Sequence, residues 1–338
     1  MKLKSLINTV GLCLLYISQT QAGSQLDAIK KRGYLNCGVS TGLVGFSSPN
    51  SKGEWKGFDV DVCRAVATTI FSNAKKVKFV PLSGQQRFVA LQTGTVDVLS
   101  RVTSKTLSRD SGIGLRFGPV VFYDGQAFMV KKDIGLKSAK ELDGASVCTQ
   151  QGTTSELNMT DFFRTNKLKF KPIVFENYNE SIQAFFKGRC DTYTNDSSGL
   201  ASARASAGKV NKFEILPERV SKEPLAPAIK QGDADLYNIL SWSVYAMIEA
   251  EELNVDSKNI DQMKKSKDIR IQRLLGIKPG NGKSLGVDEQ WAYNIVKQVG
   301  NYAEVFKRNL GDDSPLKLKR GQNALWNEGG LMYAPPLR

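Results

Sequence analysis

Strand-like and helix-like segments alternate along the first hundred residues that follow the N-terminal apolar run. Residues 33–40 have the pattern of a strand, residues 57–71 have apolar side chains at helical spacing, and residues 77–81, 87–92 and 96–100 continue as strand, helix and strand. Such alternation predicts a mostly parallel sheet with helices on its faces. Ligands of these sheets bind outside the carboxyl ends of the strands.

An internal repeat indicates that this design occurs twice. The pattern of residues 90–100 recurs in residues 184–194, and each copy predicts the end of a helix, a glycine that terminates it, and a strand. The match is loose, so it supports two similar lobes without requiring them.

Turn-forming residues divide the chain between the two copies and again after the second. Residues 122–125 precede a predicted strand at 126–130, and residues 221–224 precede another at 225–230. We take these segments as the crossovers between lobes. Lobe 1 would then contain residues 24–123 and 224–338, and lobe 2 would be residues 124–223, inserted into it.

The N-terminus has the features of a secretory signal. Lys2 and Lys4 precede the apolar residues 6–17, and small residues follow, which predicts a signal peptide over residues 1–22 with cleavage after Ala22. The alternative is a buried N-terminal helix. A cleaved signal implies that the mature protein is exported to the periplasm.

Four cysteines remain beyond the predicted signal, which suits disulfide formation in an oxidising compartment. They contain no Cys-x-x-Cys spacing, so a metal cluster or a redox site is the weaker interpretation. Two of the three possible connectivities would link lobe to lobe and obstruct relative motion. The sequence therefore favours Cys37–Cys63 within lobe 1 and Cys148–Cys190 within lobe 2.

Composition excludes several classes of function. The 338 residues include no histidine, which removes Ser-His-Asp and Cys-His catalysis and the two-histidine zinc motif. The net charge of +14 is scattered, without the basic stripe and interleaved aromatics of a nucleic-acid-binding surface. No phosphate-binding P-loop motif is present. We expect no metal, no cofactor and no nucleic-acid partner.

Several motifs carry a resemblance to a known family. The phrase GFDVDVCRAVA at 57–67, QGTT at 151–154 and GRCD at 188–191 resemble periplasmic amino-acid-binding proteins of ABC transporters. A narrower set resembles the general L-amino-acid subfamily: YDGQ at 123–126, SKEPL at 221–225, GNY at 300–302, and the C-terminal phrases NALW at 323–326 and YAPP at 333–336.

This resemblance implies a fold and a function. The fold would be the type II periplasmic binding protein fold, with two lobes, each a mostly parallel sheet flanked by helices, joined by a two-strand hinge. The function would be capture of free L-amino acids, among them glutamate, glutamine, aspartate and asparagine, by hinge closure. The protein would be a monomer, would not be an enzyme, and would deliver its ligand to the membrane permease of an ABC importer.

A free amino acid presents a carboxylate and an ammonium, so its site needs a cation and an acid. By resemblance, Arg109 with Ser104 and Thr154 would hold the α-carboxylate, because a guanidinium can bind a carboxylate through two parallel hydrogen bonds. Asp196 with Thr103 would hold the α-ammonium. The alternatives are a surface pair of Arg109 with its neighbouring aspartate, and plain helix capping, by Thr153 or Thr154 in one helix and by Asp196 in another.

Residues for the ligand side chain are also implied. Arg87, at the start of a predicted helix, would meet a distal carboxylate or amide, and Thr153, next to Gly152, would also contact the ligand side chain. Phe46 would pack on the ligand carbons, although a phenylalanine in such a loop is more often part of the core.

Two other classes of function remain open on the same scaffold. A periplasmic lyase or dehydratase would need an additional acid in the cleft, for which Glu54 and Glu156 are the candidates. A sensor module would bind the same ligand and contact a signalling protein in place of a permease. Sequence alone does not separate sensing from transport.

Overall fold

The computed structural model describes residues 24–208 and 210–338. The predicted signal peptide, residues 1–22, and its cleavage site after Ala22 lie outside the described residues. The α-helices are α1 (Gln25–Arg32), α2 (Phe58–Phe71), α3 (Gln86–Gln92), α4 (Leu107–Gly112), α5 (Thr154–Thr165), α6 (Tyr178–Phe186), α7 (Ser197–Ser206), α8 (Ala234–Glu252), α9 (Ile260–Met263), α10 (Ile269–Leu274), α11 (Asn281–Leu285), α12 (Trp291–Gln298) and α13 (Tyr302–Asn309). Short 3-10 turns occur at Lys132–Ile134, Ala139–Glu141, Gly321–Asn323 and Trp326–Glu328.

All the strands of the described residues precede α8 in the chain. They are β1 (Leu35–Val39), β2 (Ser48–Pro49), β3 (Trp55–Lys56), β4 (Val77–Pro81), β5 (Val98–Leu99), β6 (Leu115–Phe117), β7 (Phe122–Asp124), β8 (Gln126–Lys131), β9 (Ala145–Gln150), β10 (Phe170–Phe175), β11 (Thr192–Asp196), β12 (Phe213–Ile215), β13 (Glu223–Leu225) and β14 (Ala228–Lys230).

Two five-stranded sheets have the same arrangement of strand directions. The first has the order β4-β1-β5-β14-β6 and the second the order β10-β9-β11-β8-β12. In the first, β1 is parallel to β4 and β5, while β14 is antiparallel to both of its neighbours. In the second, β9 is parallel to β10 and β11, while β8 is antiparallel to both of its neighbours. All strands but one therefore share a direction in each sheet, which confirms the predicted mostly parallel design. We call the first sheet with its helices lobe 1 and the second lobe 2.

The internal repeat corresponds to equivalent elements of the two lobes. Helices α3 and α6 each end before a glycine in the left-handed conformation, Gly94 with φ +75° and Gly188 with φ +81°. Glycine adopts this conformation without a steric penalty. The strands that follow, β5 and β11, occupy the same third position in their sheets.

A two-stranded antiparallel ribbon of β7 and β13 connects the lobes, with Tyr123 opposite Pro224. The predicted strand over 225–230 is wrong in one respect, because the structure divides it into β13 and β14. The division has a local cause: the Ala226 amide donates to the Thr103 carbonyl at 3.0 Å, and the Pro227 carbonyl accepts from the Gly118 amide at 2.8 Å. These bonds take the chain from the ribbon into the sheet.

Helix α2 has the apolar face that its spacing predicts. Val62, Ala65, Val66 and Thr69 are all buried, and the helix packs against α8 and α12. Within residues 24–208 and 210–338, no helix has both the length and the apolar character needed to cross a membrane.

Both predicted disulfides are confirmed. Cys37–Cys63 joins β1 to α2, and Cys148–Cys190 joins β9 to the segment before β11. Each bond therefore lies within one lobe, and neither links lobe 1 to lobe 2.

Candidate functional site

A small cavity lies between the lobes. Its wall contains residues at or just beyond the carboxyl ends of four strands, namely Ser40 after β1, Arg101 after β5, Gln150 in β9 and Asp196 in β11. This is the position at which open α/β sheets bind ligands. The lining residues are Ser40, Leu43, Arg87, Arg101, Val102, Arg109, Gln150, Thr153, Thr154, Ser155, Tyr178, Asn195, Asp196 and Gly199.

Three arginines from lobe 1 converge on this cavity. Arg87, Arg101 and Arg109 are 2%, 5% and 9% exposed. Burial, followed by the charges of Arg101 and Arg109, holds the pKa of Arg87 well below its ordinary value. Burial also lowers the pKa of Arg101, to about 10, and that of Arg109. Lowered pKa values on three neighbouring cations mean that an anion placed among them would be strongly stabilised.

Two of these arginines reach across the cavity to lobe 2. The Arg87 Nη2 donates to the Gly152 carbonyl at 3.3 Å, and the Arg101 Nη2 donates to the Gln150 Oε1 at 3.4 Å. The Arg87 Nε is buried and has no hydrogen-bond partner in the described part of the chain. The lobes are thus in contact around the cavity, and, among the described residues, the Arg87 Nε is left without a partner beside it.

Asp196 supplies a carboxylate from lobe 2. It occupies the N-cap position of α7, but its side chain does not accept a capping hydrogen bond. Burial, and then the nearby charges of Asp124 and Glu223, raise the pKa of Asp196 well above its ordinary value, against the opposing effect of Arg87 and Arg109. A buried carboxylate without a donor is unfavourable, and a cationic ligand group would relieve this cost.

The N-terminus of α5 forms another part of the wall. Thr153 is its N-cap, with Oγ1 accepting from the Glu156 amide at 3.3 Å and donating to the Gln150 carbonyl at 2.7 Å. The preceding Gly152 has φ +71°, a conformation that glycine adopts readily. The positive end of the helix dipole therefore points at the cavity, where it favours an anion.

A second buried carboxylate lies beside the site. Glu223, in the ribbon strand β13, is 2% exposed. It accepts hydrogen bonds from Ser104 of lobe 1, from Thr154 at 3.0 Å and Asn158 at 2.7 Å of lobe 2, and from Ser221 at 2.6 Å. One carboxylate thus connects both lobes and the ribbon.

Five of the residues predicted for the ligand line the cavity. They are Arg87, Arg109, Thr153, Thr154 and Asp196.

Three others do not line it. Phe46 is 1% exposed and packs edge-on against Phe58 and Phe122, with ring centroids 6.3 and 5.6 Å apart, so its expected contact with ligand carbons is corrected to a core position. The Thr103 hydroxyl donates to the Arg101 carbonyl at 2.9 Å, and the Ser104 hydroxyl donates to Glu223. Both hydroxyl protons are therefore already donated to acceptors within the protein.

Residue-by-residue comparison with the family motifs did not find Arg101, Gln150 or Tyr178. The rule that ligands bind beyond strand ends was a usable signal for the first two, because Arg101 follows β5 and Gln150 ends β9. Tyr178 is the first residue of α6, and its hydroxyl donates to the Gly199 carbonyl at 3.4 Å. No sequence pattern indicated its position.

Comparison with known proteins agrees with this geometry. The general L-amino acid-binding periplasmic protein AapJ of Rhizobium johnstonii is 49% identical over the full length of both chains. The glutamate/glutamine/aspartate/asparagine-binding protein BztA of Rhodobacter capsulatus is 45% identical, also over the full length of both. A solved periplasmic binding protein from Brucella ovis, with glutathione bound, is 49% identical and superposes with a TM-score of 0.92 over 94% of this chain and all of its own.

The family assignment has its own support. The model of the bacterial extracellular solute-binding proteins, family 3, matches residues 35–259, which is most of the chain. That segment contains both sheets and the ribbon between them. The chain therefore belongs to the bacterial extracellular solute-binding proteins, family 3.

Proposed function

We propose that the protein is the periplasmic amino-acid-binding subunit of an ABC importer, which captures L-amino acids between its lobes and delivers them to a membrane permease. The observation that carries this proposal is the cavity itself, where three arginines of lobe 1 face Asp196 of lobe 2. The carboxylate of a zwitterion complements the arginines, and its ammonium complements Asp196. Each lobe therefore supplies one of the two charges that the ligand needs.

Each charged group of the ligand has a proposed partner. Arg109 binds the α-carboxylate together with the N-terminus of α5 at Thr154, and the Ser104 carbonyl holds the Arg109 Nη1 in place at 3.0 Å. Asp196 accepts from the α-ammonium. Ser104 and Thr103 act indirectly, through the bonds that they make to neighbouring residues.

The ligand side chain is assigned to Arg87, with Thr153 beside it in the cavity wall. The unpartnered Nε of Arg87 is a donor suited to a distal carboxylate or amide oxygen. This favours glutamate, glutamine, aspartate and asparagine, the ligands named for the Rhodobacter capsulatus relative. Glutathione belongs in the same panel, because its glutamyl end has a free α-carboxylate and α-ammonium and because it occupies the Brucella ovis structure.

The proposed mechanism is closure of the two lobes around the ligand, without a chemical reaction. The ligand contacts both lobes only when they meet, so its binding energy shifts the population toward the closed state. The permease then recognises the outer surfaces that closure brings together. The lobes would move as the units 24–123 with 224–338, and 124–223, and the mature monomer would begin after Ala22.

The two acids considered for an enzyme are bonded elsewhere in the chain. Glu54 is exposed and accepts from Asn50 at 2.8 Å, and Glu156 accepts from the Gly152 amide at 2.9 Å. Neither belongs to the lining of the cavity within the described residues. Recovery of the ligand unchanged after long incubation with the protein tests this point directly.

A panel of L-amino acids, with D-glutamate and glutathione added, tests the ligand class by thermal shift and then calorimetry. A ligand that binds only the native state adds about 2.7 kcal/mol at one hundred times its Kd. Arg109→Ala is expected to abolish binding of every amino acid, whereas Arg87→Ala is expected to change their ranking. Arg116→Ala, at an exposed cation of β6 outside the cavity, is the matched control. Equal losses at Arg87 and Arg109, or no shift with any panel member, would contradict the assignment.

A further inference from the structure

The segment after β5 contains a strained residue inside the cavity wall. Val102 has φ +43°, a left-handed conformation that is a genuine outlier for a β-branched residue, and it is one of the residues that line the cavity. Such strain persists only where the surroundings enforce it, and it concentrates at binding sites.

Asp59 provides the enforcing contact. Its Oδ2 accepts from the Val102 amide at 3.1 Å, and its Oδ1 accepts from the Ser100 hydroxyl at 2.9 Å. The carboxylate is 4% exposed and therefore holds both ends of the turn from the interior of lobe 1.

The position of Asp59 is itself fixed. It is the second residue of α2, and its amide donates to the Phe46 carbonyl at 2.9 Å. Gly57, the N-cap two residues before Asp59, has φ +136°, and a Cβ there would lie 2.1 Å from the Phe46 oxygen, so only glycine permits this approach. The start of α2 is thus locked against the loop that contains Phe46.

The residues on either side of Val102 connect it to two of the arginines that line the cavity. Arg101 precedes it and reaches Gln150 across the cavity. Thr103 follows it, and its Oγ1 accepts from the Arg87 Nη1 at 3.4 Å. The backbone conformation at Val102 therefore sets the directions of Arg101 and, through Thr103, of Arg87.

We propose that Asp59 is a positioning residue of the binding site, which holds Val102 in the left-handed conformation and thereby aligns two of the three arginines. The inference rests on the proposed function for its effect on ligand affinity. Its structural step, the coupling of Asp59 to Val102, does not depend on any ligand.

The test is a double-mutant cycle with Asp59→Asn and Val102→Gly. Asparagine keeps the shape of the side chain but presents an amide N–H₂ to one of the two donors. The Kd for the tightest-binding panel amino acid is therefore expected to rise about tenfold. Glycine at position 102 adopts φ +43° without help from the Asp59 carboxylate. Asp59→Asn in the Val102→Gly background is therefore expected to raise Kd by less than about threefold. A residue with a merely structural role in α2 would not be rescued in this way.

Asp61→Asn is the matched control. Asp61 lies in the same helix, is also 4% exposed, and accepts from Arg64, Arg308 and Asn309 without contacting the cavity. This substitution is expected to lower the melting temperature and to leave Kd unchanged in both backgrounds. A Kd change equal to that of Asp59→Asn would overturn the inference.

Urea unfolding of the same four proteins separates the possible failures. If the wild type binds no panel ligand, the proposed function fails, while a smaller loss of stability from Asp59→Asn in the Val102→Gly background would still support the coupling. If the wild type binds and the two substitutions are additive in Kd, only the positioning role fails. If Asp59→Asn does not fold alone, the double variant is expected to fold, and its failure to do so would also overturn the proposal.

Discussion

The Asn323 side chain hydrogen-bonds both backbone groups of Tyr123. Its Oδ1 accepts from the Tyr123 amide at 2.6 Å, and its Nδ2 donates to the Tyr123 carbonyl at 3.1 Å. Tyr123 is the central residue of β7 and lies opposite Pro224, which has no N–H to donate. The Asn323 side chain thus bonds β7 through the backbone N–H and C=O groups that a neighbouring strand would otherwise pair.

This contact predicts that Asn323→Ala destabilises the protein. Two backbone groups lose their partners, which is expected to lower the free energy of unfolding by about 1–3 kcal/mol. Urea denaturation measures the change. Gln322→Ala, at the exposed neighbouring position, is the control and is expected to stay within about 0.5 kcal/mol of the wild type. Equal effects at 322 and 323 would show that the reciprocal bonds contribute nothing.

The predictable parts of the structure depend on local sequence. Strand β4 has the predicted limits, α2 has the predicted buried face, and the repeat identified the equivalent strands β5 and β11. The positions of Arg87, Arg109 and Asp196 in the cavity wall could be predicted because these residues stand at motif positions next to the ends of strands and helices.

The unpredicted parts depend on contacts between distant segments. Glu223 looked like one residue of a turn, yet it accepts from donors more than sixty positions away. Likewise, Phe46 looked available to a ligand until the packing of Phe58 and Phe122 around it was known. Periodicity and motif spacing contain no information about such pairings.

The Glu223 network predicts that Glu223→Gln weakens ligand binding. Glutamine keeps one acceptor oxygen and has an N–H₂ in place of the other, so two of the four donors lose their acceptor and the remaining bonds lose their charge, which weakens the contacts that Glu223 makes to the two lobes. We expect Kd for the tightest-binding amino acid to rise by about tenfold or more, measured by calorimetry.

Glu218→Gln is the control for this substitution. Glu218 also accepts from a serine and an amide, Ser138 and Ala139, but both belong to lobe 2. It is expected to reduce stability without changing affinity. If Glu223→Gln lowered stability and left Kd unaltered, the carboxylate would be structural only.

The two disulfides predict separate losses of stability. They close loops with sequence separations of 26 and 42 residues, and a chain-entropy model assigns about 3–4 kcal/mol to each. Replacing Cys37 and Cys63 together by alanine, or Cys148 and Cys190 together, is expected to lower the melting temperature while ligand binding persists. Calorimetric melting measures the loss, and peptide mapping of the oxidised protein checks the pairing. A link between Cys37 or Cys63 and either lobe 2 cysteine would be inconsistent with the fold.

The raised pKa of Asp196 predicts that ligand affinity depends on pH. Burial is the main cause of the shift, and the charges of Asp124 and Glu223 add to it. An ammonium binds the ionised carboxylate, so Asp196 must lose any proton that it holds before it can accept the ligand. Affinity is therefore expected to fall as pH is lowered through the raised pKa, and binding below that pKa is expected to release a proton.

Glutamine is the suitable probe for this prediction, because its side chain does not titrate. Calorimetry from about pH 8 to about pH 5, in buffers of different ionisation enthalpy, yields both the Kd and the number of protons released. Asp196→Asn is expected to bind weakly at every pH and to release no proton, since the titrating group is gone. An affinity for glutamine that is constant over this range in the wild type would mean that Asp196 is already ionised in the free protein, or that it does not contact the ammonium. Proton release by Asp196→Asn equal to that of the wild type would assign the titration to another group, of which Asp59, with its pKa raised by burial to about 7, is the first to test.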